Sequence, residues 1–308
     1  MNTSAPPRSA VLSVVFAALL WSSGGLFIKI APFGPLAVAC GRALVTTIFY
    51  LIVLRPNLRG ARLVTGLVYA AMIVTFVSAT KLTTAANAIF LQYTGPAYVL
   101  ALSPFLLREP FERLDAFCVA VSLAGMALFF VGKVEPGQFW GNVLGALSGI
   151  AYALTIILLR RDAKGGATGG AGFAGDGRRP QAGAHGDAMP STVLGNLIAA
   201  LITLPFVTGD FARITAQGAL VLVYLGVVQM GIAYLLLARG LRSVPAAEAS
   251  LISMLEPTLN PVWVYLGTGE RPGPWAVLGG AVVLAAVLLR ALAKPAPAPA
   301  PATAARPR

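Results

Sequence analysis

Between residues 9 and 292 the chain is a succession of ten apolar stretches, at approximately 9–30, 35–54, 64–82, 85–107, 114–132, 138–159, 190–208, 218–238, 245–267 and 273–292. Each is close to the twenty or so residues that a helix needs to cross a hydrocarbon core roughly 30 Å thick. With 57% hydrophobic and 11% charged residues and a mean hydropathy of +0.79, the chain falls far outside the balance of a soluble domain. These features predict an all-α polytopic membrane protein with ten transmembrane helices. The first apolar run has no convincing signal-peptidase site, so it is read as the first of these helices, retained in the mature protein.

The formal charge of +12 raises the question of nucleic acid. The basic residues stand singly between apolar runs, however, without the aromatic platform that such binding uses, and they are read as a topology signal. With the amino terminus inside, 17 Lys and Arg fall in inside segments and 5 at outside ends (Lys29, Lys81, Lys133, Arg213 and Arg271). Adding or removing one span would scramble that bias. The expectation is a multi-pass protein of the cell inner membrane with both termini cytoplasmic.

The pattern of residues 86–109, an apolar helix interrupted by Pro96 and followed by Glu109, returns 161 positions later with Pro257 and Glu270. A weaker match at 131 positions places Trp21 and Lys29 on Tyr152 and Arg160. Such duplication predicts two five-helix repeats, 9–132 and 138–292. Five is odd, so the second repeat enters the membrane inverted relative to the first, the arrangement from which alternating access arises. The Gly-, Ala-, Arg- and Asp-rich segment 161–190 is read as a flexible cytoplasmic linker, and the Ala/Pro-rich tail 293–308 as disordered.

Charges within the spans carry the most information, because a lipid-facing charge at mid-membrane costs roughly 2.5–3.5 kcal/mol. Arg42, Glu248 and Glu256 should therefore face the bundle interior. Glu256 precedes Pro257, whose missing N–H and ring free a carbonyl near residue 253. It can bind a cation, hold a proton or meet a substrate amine; the alternative is an internal helix contact. Glu248, near the start of the same helix, either faces substrate or complements the helix end. Arg42 either pairs with an acid across the bundle or takes an anionic substrate group. Asn87, Gln92, Tyr93, Gln229 and Tyr234 are candidates for a polar substrate site or for interhelical hydrogen bonds. Trp21 reaches either the outer half of the path or the interface. Glu109 and Glu270, with Arg113 and Arg271 nearby, are read as loop contacts.

The run Trp21-Ser22-Ser23-Gly24-Gly25-Leu26-Phe27-Ile28-Lys29, Arg42 in the second helix, the two proline-centred helices and the acids after them resemble the EamA branch of the drug/metabolite transporter superfamily. The resemblance covers about Val11 to Leu292, apart from the long linker. It implies ten helices in two inverted repeats and movement of small metabolites, amino acids or drugs. It also implies a cavity lined by the third, fourth, eighth and ninth helices, which by order of helices brings in Thr75, Asn87, Tyr93, Gln229, Tyr234, Glu248 and Glu256.

The reading is a secondary transporter, in the export direction, of small zwitterionic or cationic metabolites such as amino acids or amines. Its substrate-binding candidates are Glu256, Glu248, Asn87, Tyr93, Gln229, Tyr234, Arg42 and Trp21. A proton is the candidate coupling ion; membrane lipid is a partner and nucleic acid is not. Monomer and homodimer both stay open. No HExxH, GxSxG or nucleotide loop occurs, Cys40 and Cys118 lack metal or disulfide spacing, and His185 lies in a loop, so no enzyme, metal or cofactor is expected. A channel, an intramembrane enzyme and a non-transporting receptor are the alternatives.

Overall fold

The structure, a computed structural model, describes residues 6–128, 139–164, 187–211, 214–268 and 273–293. Among them there is no β-strand. The helices are α1 (Arg8–Trp21), α2 (Gly24–Ile30), α3 (Pro35–Val53), α4 (Leu63–Leu82), α5 (Ala85–Gln92), α6 (Gly95–Leu106), α7 (Arg113–Leu128), α8 (Phe139–Lys164), α9 (Met189–Thr203), α10 (Thr208–Phe211), α11 (Ala216–Val223), α12 (Ala233–Gly240), α13 (Ala246–Ser253), α14 (Leu255–Thr268) and α15 (Pro274–Leu292), with a π-helical stretch at Tyr224–Ile232 joining α11 to α12.

The chain is an all-α polytopic membrane protein. Eight helical stretches among the described residues are long and apolar enough to cross a membrane, several of them compound, as in Arg8–Ile30 and Ala216–Gly240. The sequence stretches of the two remaining expected spans hold shorter helices. One holds α7, with 16 described residues, and the other the pair α13 and α14, interrupted at Met254.

The linker is shorter than its composition implies. Residues 161–164 continue α8, and Met189 and Pro190 already belong to α9. Helix continues past the apolar stretch because Asp162 and Lys164 find partners there, Arg62 at 3.2 Å and Glu109 at 2.6 Å. The rest of the linker with His185, the tail from residue 294, Lys133, Arg213, Glu270 and Arg271 lie outside the described residues.

The helix ends gather into two sets. In one, the carboxyl end of α8 meets the α6–α7 corner, the residue before α4, the start of α9 and the α12–α13 corner. In the other, Lys29 at the end of α2 donates to the Thr80 and Thr83 carbonyls at 3.1 and 2.9 Å, Lys81 donates to the Ala31 carbonyl at 2.8 Å, and Thr83 bonds Asn142 near the start of α8. The first set carries the basic helix ends that the sequence assigns to the inside and is called the basic face below.

Small residues set the spacing of the bundle. A Cβ on Gly125 of α7 would stand 2.9 Å from the Gly279 carbonyl of α15, so these two helices touch backbone to backbone. Gly226 in the π-stretch lies against α3, where a Cβ would come within 2.5 Å of Val45 Cγ1 and 2.9 Å of the Arg42 carbonyl. Gly226→Ala is therefore expected to destabilise by about 1–3 kcal/mol through overpacking, measured as a lower melting temperature in detergent. Gly209→Ala, with nothing within 4 Å of the added Cβ, is the control expected to melt like the parent. Equal melting of both variants would contradict the packing described.

Candidate functional site

Four interruptions of helical geometry converge at the middle of the bundle. They lie at Ser22–Ser23 between α1 and α2, at Tyr93–Thr94 between α5 and α6, at Met254 between α13 and α14, and along the π-stretch. A helix that stops inside an apolar bundle leaves carbonyls without partners, and such breaks need local acceptance of those groups. Here hydroxyls supply it. Ser22 and Ser23 donate to the Leu19 and Leu20 carbonyls at 2.6 and 3.0 Å, and Thr94 donates to Leu91 at 2.7 Å. Along the π-stretch, Thr46 of α3 donates to the Gly226 carbonyl at 2.8 Å and Tyr50 to that of Gly231 at 3.0 Å.

Pro96 is the second residue of α6 and Pro257 the third of α14. A first-turn N–H has no acceptor within the helix, so proline removes nothing there and marks where each new helix begins. The spans α5 and α13 have identical lengths and are displaced by 161 residues, the offset already visible in the sequence.

Around these breaks lies a small, partly open cavity. Its polar wall comes from Trp21, Arg42, Gln92, Tyr152, Gln229, Tyr234 and Glu256; Met72, Ile73, Phe76 and Met230 form an apolar side. Met72 and Phe76 are one helical turn apart on α4 and face it together. Glu256 is buried and accepts a 2.6 Å hydrogen bond from the Tyr93 hydroxyl through Oε2. Trp21 packs on Tyr234 with ring centroids 5.0 Å apart, and Tyr234 meets Tyr69 edge-on at 4.9 Å.

Several groups on this wall are unsatisfied. Nε and Nη1 of Arg42, Nε1 of Trp21 and Oε1 of Gln229 are buried without a hydrogen-bond partner among the described residues. Arg42 is 2% exposed, yet none of the described carboxylates lies within ion-pair distance of it. A buried guanidinium in that state is costly. Together with an acid on the same wall, it offers donors to an anionic group and an acceptor to a cationic one.

Of the residues singled out in the sequence, Trp21, Arg42, Gln92, Gln229, Tyr234 and Glu256 meet at this cavity, and Tyr93 stands behind Glu256 as its donor. Asn87, Thr75 and Glu248 do not line it. Asn87 sits half-buried at the start of α5, where its backbone N–H donates to Thr84 and its side-chain amide to Thr83. Thr75 donates to the Ala71 carbonyl of its own helix. Glu248 is 3.6 Å from Arg290. Sequence reasoning left Tyr152 out of the site, although its match to Trp21 at 131 positions was the available signal. The apolar side had none, since Met72, Ile73, Phe76 and Met230 read like any other residues of an apolar run.

Glu109 pairs with Arg160 and Lys164 instead of the neighbouring Arg113. Burial on its own would raise its carboxyl, but Arg160, Lys164 and the Ala246 N–H outweigh that and hold it below the ordinary carboxylate range.

The comparisons with known proteins are consistent across sequence and structure. A family model described as "EamA-like transporter family" matches residues 8–131 and 181–292. An uncharacterized transporter of Bacillus subtilis (strain 168), YxxF, is 25% identical over 208 residues, 66% of this chain and 60% of the relative, so the match spans less than two thirds of that protein's length. An uncharacterized transporter of Archaeoglobus fulgidus is 26% identical over 70% of this chain and 71% of its own. A solved chain known as "Crystal structure of protein" aligns with a TM-score of 0.71 and 18% identity, covering 92% of this chain and 96% of that one, which shows a shared fold.

Proposed function

Because this chain belongs to the EamA-like transporter family, we propose that it is a secondary carrier that moves a small zwitterionic or cationic metabolite, an amino acid or an amine, through the cavity at Glu256 by alternating access. The observation that carries this reading is the pairing of opposite charges on one small wall: Arg42 with open donors and Glu256 with a single tyrosine donor, not bonded to each other. An α-amino acid presents the complementary pair of groups at a fixed short separation. The apolar side of Met72, Ile73, Phe76 and Met230 then receives its side chain.

The membrane arrangement proposed is ten crossings in two inverted repeats, 9–132 and 138–292, with both termini cytoplasmic at the inner membrane and transport in the export direction. The meeting of basic helix ends on one face supports it, as does the return of the α5 break in α13. Reporter fusions at Asn57, Lys81, Gly170 and Asp210 test it. Lys81 and Gly170 on the same side would refute the inverted repeat.

Transport itself is tested with the purified full chain in liposomes, after a thermal-shift screen of amino acids, amines, nucleosides and sugars. The expected result is stabilisation by a zwitterion or amine and saturable flux driven by solute or proton gradients without ATP. Flux that never saturates would favour the channel reading, and its absence for every stabilising compound would favour a receptor.

A further inference from the structure

Outside the cavity, three clusters of charged side chains occupy the basic face. In the first, Glu109, at the α6–α7 corner, accepts from Arg160 Nε at 2.8 Å and from Lys164 Nζ at 2.6 Å through Oε1. Its Oε2 accepts from the backbone N–H of Ala246 at 2.9 Å, and Arg160 also donates to the Leu241 carbonyl. In the second, Arg290 of α15 bonds Asp115 of α7 and, at 3.0 Å, Glu112, and it stands 3.6 Å from Glu248 of α13. In the third, Arg62 pairs with Asp162 at 3.2 Å, and Asp162 accepts from Ser191 Oγ at 2.6 Å.

Two features set these clusters apart from scattered surface pairs. Glu109, Asp115 and Glu112 all come from the stretch before residue 129, and their partners Arg160, Lys164 and Arg290 from the stretch after 138; Arg62 and Asp162 cross the same boundary. Each of the three clusters thus ties one proposed half to the other. The first two also converge on α13, which is buried along all eight of its residues. Glu109 holds its first N–H, Arg290 stands beside Glu248 two residues further on, and the helix runs on to the break at Met254 beside Glu256. Eight residues of helix are about 12 Å long, so the clamped end and the cavity end belong to one short rigid lever.

We propose that these clusters form an ionic latch that keeps the basic-face end of the central path shut, with Glu109 as its centre, and that this end opens only when α13 is released from the α6–α7 corner. The proposal rests on the carrier reading for its purpose but not for its structure. A buried pair that loses one partner leaves the other charge uncompensated, so neutralising Glu109 weakens the contact between the halves as well as freeing the start of α13. Rocking of one half against the other must separate these same groups.

The test uses the full chain in nanodiscs with both native cysteines removed (Cys40→Ala, Cys118→Ala) and one reporter, Ser250→Cys, on the buried α13. The rate of reaction with a charged, membrane-impermeant maleimide reports opening. Adding Glu109→Gln is expected to raise that rate about tenfold, with the melting temperature showing that the protein stays folded. A second variant, Glu109→Cys with Ala246→Cys in the cysteine-free chain, is bridged by a short bifunctional methanethiosulfonate and reconstituted in liposomes. It is expected to bind its thermal-shift ligand, to lose flux when bridged and to recover it on reduction. An unchanged labelling rate in the folded Glu109→Gln protein, or full flux through the bridged protein, overturns the latch. Faster labelling in a protein that carries nothing in any form would keep the latch and remove the carrier reading instead. If Glu109→Gln does not fold, the bridged variant decides alone.

Discussion

Glu256→Gln is expected to lower kcat/KM for a zwitterionic or amine substrate by about 10- to 100-fold while leaving the melting temperature within a few degrees of the parent. Glutamine keeps the shape of the side chain and still accepts from the Tyr93 hydroxyl, which lies 2.6 Å from Oε2. What it loses is the charge-assisted contact with a substrate cation, a bond worth about 1.5–3 kcal/mol, where about 1.4 kcal/mol is a factor of ten. Tyr93→Phe should behave in the opposite way. It removes the donor from a buried carboxylate, and stability should fall by about 1–3 kcal/mol. Proton coupling at Glu256 adds a separate signature: the glutamine protein would still exchange labelled for unlabelled substrate but would no longer respond to an imposed pH gradient. A folded Glu256→Gln protein with parental binding and flux would remove this residue from the mechanism.

Arg42→Met is expected to give a protein that is more stable and less active. Methionine fills much of the volume of the arginine stem, and it removes a guanidinium whose Nε and Nη1 have no hydrogen-bond partner among the described residues. Replacing buried ionic groups with apolar ones of similar size is often neutral or stabilising by about 1–4 kcal/mol. Binding should divide by substrate chemistry. Compounds with a carboxylate should lose affinity by at least tenfold, and amines without one should bind as before, measured by titration of the purified protein. A sharp drop in melting temperature would instead show that Arg42 belongs to a structural pair, the other reading that its sequence context permits.

How far the sequence reaches depends on what each residue must satisfy. The hydrocarbon core is a strong and uniform constraint, so the apolar stretches and the proline-marked breaks near Pro96 and Pro257 are legible from residue types alone. Glu256 and Arg42 are legible for the same reason, since an ionisable group at that depth has few tolerable places. Glu248 and Asn87 look equally exceptional along the chain, yet they end beside Arg290 and Thr83, because position along a helix does not reveal which neighbour faces it. The π-stretch had no sequence marker. It depends on Thr46 and Tyr50, which lie about 180 positions away and supply hydroxyls to its carbonyls. The continuation of α8 to Lys164 was hidden likewise, because polar residues there are held by Glu109 and Arg62, partners from distant stretches.

The matched breaks have unequal contents. Moved by the 161-residue offset that relates α5 to α13, Glu256 falls on Gly95, and Tyr93 falls on Met254. The break repeats while its side chains do not, so on the proposed carrier reading an amino acid held between Arg42 and Glu256 has only one orientation to adopt. It must leave by the far exit without turning over, and the two exits therefore present it with different surroundings. Detailed balance fixes only the ratio of maximal rate to half-saturation concentration on the two sides at zero driving force. The individual constants are free to differ, and initial rates taken from opposite sides of one membrane should saturate at different concentrations.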